Sequence, residues 1–165
     1  MRGYDLADFE PFFSAIIAAA AALTGLLFVA VSINLDRILR GGKFLPARAA
    51  ETLAALLLIV ASSALTLVPQ SVRLVGVEIL IIAVPVLAIT VRSQLRQRRR
   101  NRDDPVLWTI SRMTSTALAT VPCTLAGLSL TIRWGGGLYW LVPAALLGIA
   151  GAVYNAWVLL VEIVR

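Results

Sequence analysis

The chain has 165 residues, of which 59% are apolar and 15% charged, and its formal net charge at pH 7 is +6. Soluble domains carry about 25% charged residues, so this composition excludes an ordinary soluble domain and indicates an integral membrane protein. The chain has no histidine and a single cysteine, Cys123, and so lacks the usual ligands and bases of metal, haem and triad enzymes. We therefore expect a non-enzymatic protein without a cofactor.

The first predicted helix covers residues 11–35. The ten residues before it carry three acids and one base, unlike the basic start of a cleaved signal peptide. Helical spacing places Ser14, Ala18, Ala21 and Gly25 on one face, a pattern of small residues that allows close helix approach. We expect this face to pack within the chain; a subunit interface and a pore-lining stripe are the alternatives.

Two further helices are predicted at residues 46–67 and 72–97, joined by a tight hairpin at residues 68–71. Glu78 lies about two turns inside the second of them, where an unpaired charge costs on the order of 2 to 3 kcal/mol. We expect an ion pair between Glu78 and Arg73. A proton- or cation-coupling carboxylate and a subunit contact are the alternatives.

A basic block, RSQLRQRRRNRDD at residues 92–104, ends the third predicted helix and cannot enter a bilayer. Its position between apolar segments favours binding to anionic lipid headgroups and a role in membrane topology over nucleic-acid binding. The arginines to which we assign this role are Arg96, Arg98, Arg99, Arg100 and Arg102.

The last two helices are predicted at residues 105–132 and 138–164. In the final helix, Asn155 shares a stripe with the small residues Gly148 and Gly151. Membrane helix interfaces commonly join small residues to one polar side chain, so we expect this stripe to pack against another helix.

Three acids, Asp36, Glu51 and Glu162, fall near the inner ends of predicted helices that also carry several arginines. Interfacial salt bridges that hold the bundle together are the favoured interpretation. A ring of such acids, repeated around an oligomer, would instead form a cation vestibule.

The distribution of the 15 basic residues predicts the orientation of the chain. Placing the amino terminus outside leaves only Arg2, Arg73 and Arg133 on the outer side, as expected if cytoplasmic loops hold most of the bases. The sequence thus predicts one all-α transmembrane domain over residues 1–165, a bundle of five helices with the carboxyl terminus in the cytoplasm.

The expected location of this bundle is the cytoplasmic (inner) membrane. The favoured function is that of an accessory or regulatory subunit that acts through helix contacts with another membrane protein. A homo-oligomeric ion channel, or a proton-coupled transporter that uses Glu78, is the alternative.

Overall fold

The computed structural model describes residues 2–40, 44–100 and 106–164. Over these ranges the chain is helical and contains no strand, which confirms the all-helical class. The α-helices, in chain order, are α1 (Glu10–Ile33), α2 (Leu35–Arg40), α3 (Phe44–Leu67), α4 (Val72–Arg100), α5 (Val106–Ile132) and α6 (Leu141–Val164).

The observed helix boundaries lie within three residues of the predicted ones, and two of the differences have a local cause. The first helix ends at Ile33 because Asn34 leaves helical geometry, with φ −103° and ψ 14°, and the short helix α2 follows. The Asn34 side chain donates a hydrogen bond to the carbonyl of Ala30 at 2.9 Å, which satisfies part of the helix end. The last helix begins at Leu141, because residues 138–140 belong to the 3-10 turn Gly137–Trp140.

Four segments among the described residues are helical, long and apolar enough to cross a membrane. They are Ala7–Ile33, Pro46–Leu67, Val72–Arg96 and Gly137–Val158. Helix α5 contributes a shorter apolar stretch, Thr116–Ile132. Large apolar side chains cover the outside of the bundle: Ile33 is 78% exposed and Ile89 67%. Soluble monomers rarely expose extended apolar surface of this kind, so the protein spans a membrane.

Helix α3 lies at the centre of the bundle and contacts α1, α4, α5 and α6. One apolar core cluster, around Phe13, Ile79 and Leu130, joins α1, α4 and α5 near the α3–α4 hairpin. A second cluster, around Ile16 and Ile59, joins α1, α3 and α6. We call the end that holds residues 2–9, 68–71 and 133–137 the hairpin end, and the opposite end, with α2 and the start of α3, the basic end.

Candidate functional site

Glu78 is half-buried near the hairpin end, and its hydrogen-bond partner is Gln70. The Gln70 Nε2 atom donates to Glu78 Oε2 at 2.6 Å and also lies 3.4 Å from the carbonyl oxygen of Leu65. Gln70 is in the hairpin before α4, so its side chain can fold over the first turns of that helix. The amide therefore links the end of α3 to the carboxylate of α4.

Arg73, the partner that the sequence favours for Glu78, is exposed instead. The structure describes both residues and shows no hydrogen bond or ion pair between them. Five residues along a helix correspond to a rotation of about 140°, which directs the two side chains to different faces. The expected ion pair is therefore replaced by the hydrogen bond from Gln70, which was not predicted from the sequence.

The basic end contains a buried polar cluster that joins four helices. On α3, Arg48 is 3% exposed, and its guanidinium donates from Nε and Nη2 to the Oδ1 atom of Asn155 on α6, at 3.1 and 2.8 Å. Asn155 is itself 7% exposed. The polar member of the predicted α6 stripe thus hydrogen-bonds across a helix interface to a buried arginine.

Glu51 lies one turn after Arg48 on α3 and binds residues of α4. Ser93 donates to Glu51 Oε1 at 3.0 Å, and the amide of Gln94 lies 3.4 Å from Oε2. The same amide donates to the hydroxyl of Thr116 on α5 at 2.9 Å. We call Arg48, Glu51, Gln94, Thr116 and Asn155 the four-helix polar cluster.

The sequence predicted that Asp36, Glu51 and Glu162 lie in one interfacial layer and form salt bridges with nearby arginines. Glu51 is buried within the bundle, whereas Asp36 is exposed on α2, so the structure does not bring these two together. Arg96 is exposed at the end of α4, as a headgroup contact requires. The side chains of Glu162, Arg98, Arg99 and Arg100, and the whole of Arg102, lie outside what the structure describes.

Glycines mark the closest helix contacts. A Cβ atom added to Gly148 of α6 would lie 2.5 Å from Ile59 Cδ1 and 2.9 Å from Ala119 Cβ, so α6 packs tightly on α3 and α5 there. Gly151, one turn later, is half-buried. The predicted α6 stripe therefore lies at a helix interface.

A second glycine contact, between α4 and α5, was not predicted. A Cβ atom on Gly76 would lie 2.7 Å from the backbone nitrogen of Thr131, and one on Gly127 would lie 3.1 Å from the carbonyl oxygen of Gly76. These two glycines let the backbones of α4 and α5 approach closely. Gly127 and Thr131 have small-xxx-small spacing on α5, and this pattern could have indicated the contact.

The small-residue stripe of α1 faces outward. Ser14, Ala18, Ala21 and Gly25 are all exposed, and a Cβ atom on Gly25 would meet no atom within 4 Å. The buried face of α1 is a different one, formed by larger residues such as Phe13. The expectation that the stripe packs within the chain is thus corrected: the larger residues supply more apolar contact and take the inner face.

The amino-terminal segment is fastened to the loop between α5 and α6. The backbone N–H of Gly136 donates to the Tyr4 hydroxyl at 3.3 Å, and the hydroxyl oxygens of Tyr4 and Ser129 lie 3.5 Å apart. The rings of Phe9 and Tyr139 meet edge to face at 5.2 Å. The start of α1 is therefore anchored at the hairpin end.

Among the described residues, every buried side-chain nitrogen and oxygen has a hydrogen-bond partner, and no group of three or more His, Cys, Asp or Glu residues is placed to hold a metal ion. The polar clusters thus serve as links between helices in this arrangement. Comparison of the chain with protein-family models, curated proteins and solved structures finds no match.

Proposed function

We propose that this protein is an accessory or regulatory membrane subunit that binds another membrane protein through the outward face of α1. The observation that carries the proposal is the exposure of the whole small-residue stripe, with open space around Gly25. Small residues in a membrane helix allow a second helix to approach closely, and this stripe makes no such contact with the residues that the structure describes.

The position of α1 supports the same function. Among the long helices, α1 packs mainly on α3, at the edge of the bundle, whereas α3 is surrounded. A peripheral helix can bind a partner without disturbing the core. We further propose that the chain crosses the cytoplasmic membrane five times, with its amino terminus outside and its carboxyl terminus in the cytoplasm. This proposal is based on the distribution of the basic residues.

The alternative is a homo-oligomeric channel or a proton-coupled transporter that uses Glu78. The middle of α3, between the four-helix polar cluster and the hairpin end, is tightly packed. It includes the apolar residues Leu56, Leu58 and Ile59, each at most 3% exposed. Such packing favours an accessory subunit over a conducting path through the single chain. Flux into liposomes that is lost in Glu78→Gln would favour the alternative.

Photo-crosslinking in the native membrane tests the accessory function. We would place a photoreactive residue at Ala18 or Ala21 in the stripe, and at Ile89 on the exposed side of α4 as a matched control. We expect the stripe positions to yield an adduct with one other membrane protein, and the control position to yield lipid adducts. Gly25→Leu should abolish the adduct at Ala18, because the larger side chain blocks helix approach.

Two results would contradict the proposal. The first is the absence of a protein adduct at both stripe positions. The second is an adduct only with a further copy of the same chain, which would favour the homo-oligomeric alternative. Because Gly25 faces open space, Gly25→Leu should leave the melting temperature in detergent unchanged, so a lost adduct reports on the interface and not on the fold.

A further inference from the structure

An apolar groove with a volume of about 380 Å³ separates α1 from α6 in the half of the bundle nearer the basic end. Its lining is entirely apolar and comes from four helices; it includes Leu26, Ala30, Ile38, Leu56, Ala152 and Trp157. Leu26 and Trp157 are 68% and 60% exposed, so the groove opens on the outside of the bundle. In a membrane-spanning protein this side meets the acyl chains of lipids.

The size of the groove restricts its occupant. Its volume is at the lower end of the range for small-molecule sites, which is about 300 to 1,000 Å³. A helix with its side chains is about 10 to 12 Å across, so one turn occupies roughly 500 Å³, which is more than the groove holds. The groove therefore suits one flexible apolar chain better than a helix of a second protein.

Charge at the basic end indicates the kind of lipid. Helix α2 contributes Ile38 to the groove, while its neighbour Arg37 is exposed. Helix α2 carries two bases, Arg37 and Arg40, and one acid, Asp36. Basic pockets between membrane helices on the cytoplasmic side bind anionic headgroups, because that leaflet is negatively charged.

From these features we infer that the groove binds an anionic phospholipid, with one acyl chain between α1 and α6 and the headgroup phosphate beside Arg37. The site is distinct from the proposed partner surface. Ala30 in the groove and Ala21 in the stripe are nine residues apart on α1, a rotation of about 180°. Loss of lipid binding and loss of the partner can therefore be separated by mutation.

Native mass spectrometry of the protein in mild detergent tests the inference, with phosphatidylglycerol or phosphatidylcholine added. Ala30→Phe and Ala156→Phe fill the groove from its two sides, and Ala88→Phe on the exposed side of α4 is the matched control. We expect the groove variants to retain at least about tenfold less phosphatidylglycerol than the unmodified protein. This is the loss of affinity expected if each new side chain displaces two methylene groups of the acyl chain from the groove. The control should bind as the unmodified protein does.

Arg37→Gln tests the headgroup contact without altering the groove. We expect it to reduce the preference for phosphatidylglycerol over phosphatidylcholine about fivefold, the contribution of one basic side chain near an anionic surface. Unchanged lipid retention in both groove variants, shown to be folded by circular dichroism, would overturn the inference. So would an unchanged headgroup preference in Arg37→Gln, which remains decisive if the groove variants fail to fold.

Discussion

Gln70 provides the contact that the sequence assigned to Arg73. The Gln70 amide donates a hydrogen bond of 2.6 Å to Glu78 Oε2, which links the hairpin directly to α4. An exposed arginine remains solvated by water or headgroups and adds little to stability. The hydrogen bond from the hairpin, and not an ion pair along the helix, therefore holds Glu78.

Substitutions should show whether Gln70 or Arg73 is the partner that stabilises Glu78. We expect Gln70→Leu to lower the free energy of unfolding by about 1 to 2 kcal/mol, because it removes a half-buried hydrogen bond to a carboxylate. Glu78→Gln should cost less, since its amide oxygen can still accept from Gln70. Thermal unfolding in detergent measures both changes.

Arg73→Gln is the control for this pair. Arg73 is exposed and forms no hydrogen bond or ion pair with the described residues, so this substitution should change the free energy of unfolding by less than about 0.5 kcal/mol. If Arg73→Gln lowers the free energy of unfolding as much as Gln70→Leu does, the result would favour the ion pair between Arg73 and Glu78. It would contradict the hydrogen-bonded arrangement.

At the scale of the helix, glycines determine how closely neighbouring elements approach. The contact between α4 and α5 leaves no room for a methyl group at Gly76, where the nearest atoms include the backbone of Thr131. At Gly148 the nearest atom is the flexible end of Ile59, although Ala119 also lies close. Backbone cannot move aside as a side-chain terminus can, so the α4–α5 contact at Gly76 tolerates substitution less well than the contact at Gly148.

We therefore expect Gly76→Ala to lower the free energy of unfolding by roughly 1 to 3 kcal/mol, since it overpacks a helix interface. Gly25→Ala is the matched control, because its new methyl group meets no atom within 4 Å. The melting temperatures of the two variants in detergent give the comparison. Equal stability of the two would mean that α4 and α5 are further apart than the structure shows.

At the scale of the whole molecule, the two ends of the bundle differ in chemistry. The hairpin end is closed by the anchored amino-terminal segment and the loop with Gly135, Gly136 and Gly137, all at positive φ. The basic end carries the four-helix polar cluster and the exposed Arg37 and Arg96. This asymmetry is the physical basis for the proposed orientation, because basic segments stay on the cytoplasmic side.

Reporter fusions test that orientation. A fluorescent-protein fusion at Arg165 should be fluorescent and an alkaline-phosphatase fusion there inactive, as for a cytoplasmic terminus. Phosphatase inserted at Gly135 should be active, since we place this loop outside. Phosphatase activity at Arg165 would contradict the count of five crossings.

The sequence by itself determined the membrane class, the helical fold and most helix boundaries. These properties depend on local features: apolar length, prolines at helix starts, glycines at helix ends and the clustering of charge. The boundary at Ile33 was missed because Asn34 interrupts the helix with a local hydrogen bond within an otherwise continuous apolar pattern.

Only the tertiary structure decided which faces pack and which polar groups pair. The stripe of α1 and that of α6 have the same small-residue pattern, yet one is exposed and the other lies against α3 and α5. Likewise, Arg48 and Asn155 are 107 residues apart and meet because α3 and α6 are neighbours. Helical periodicity defines a face of a helix, but the neighbour of that face depends on how all the helices share the available buried surface.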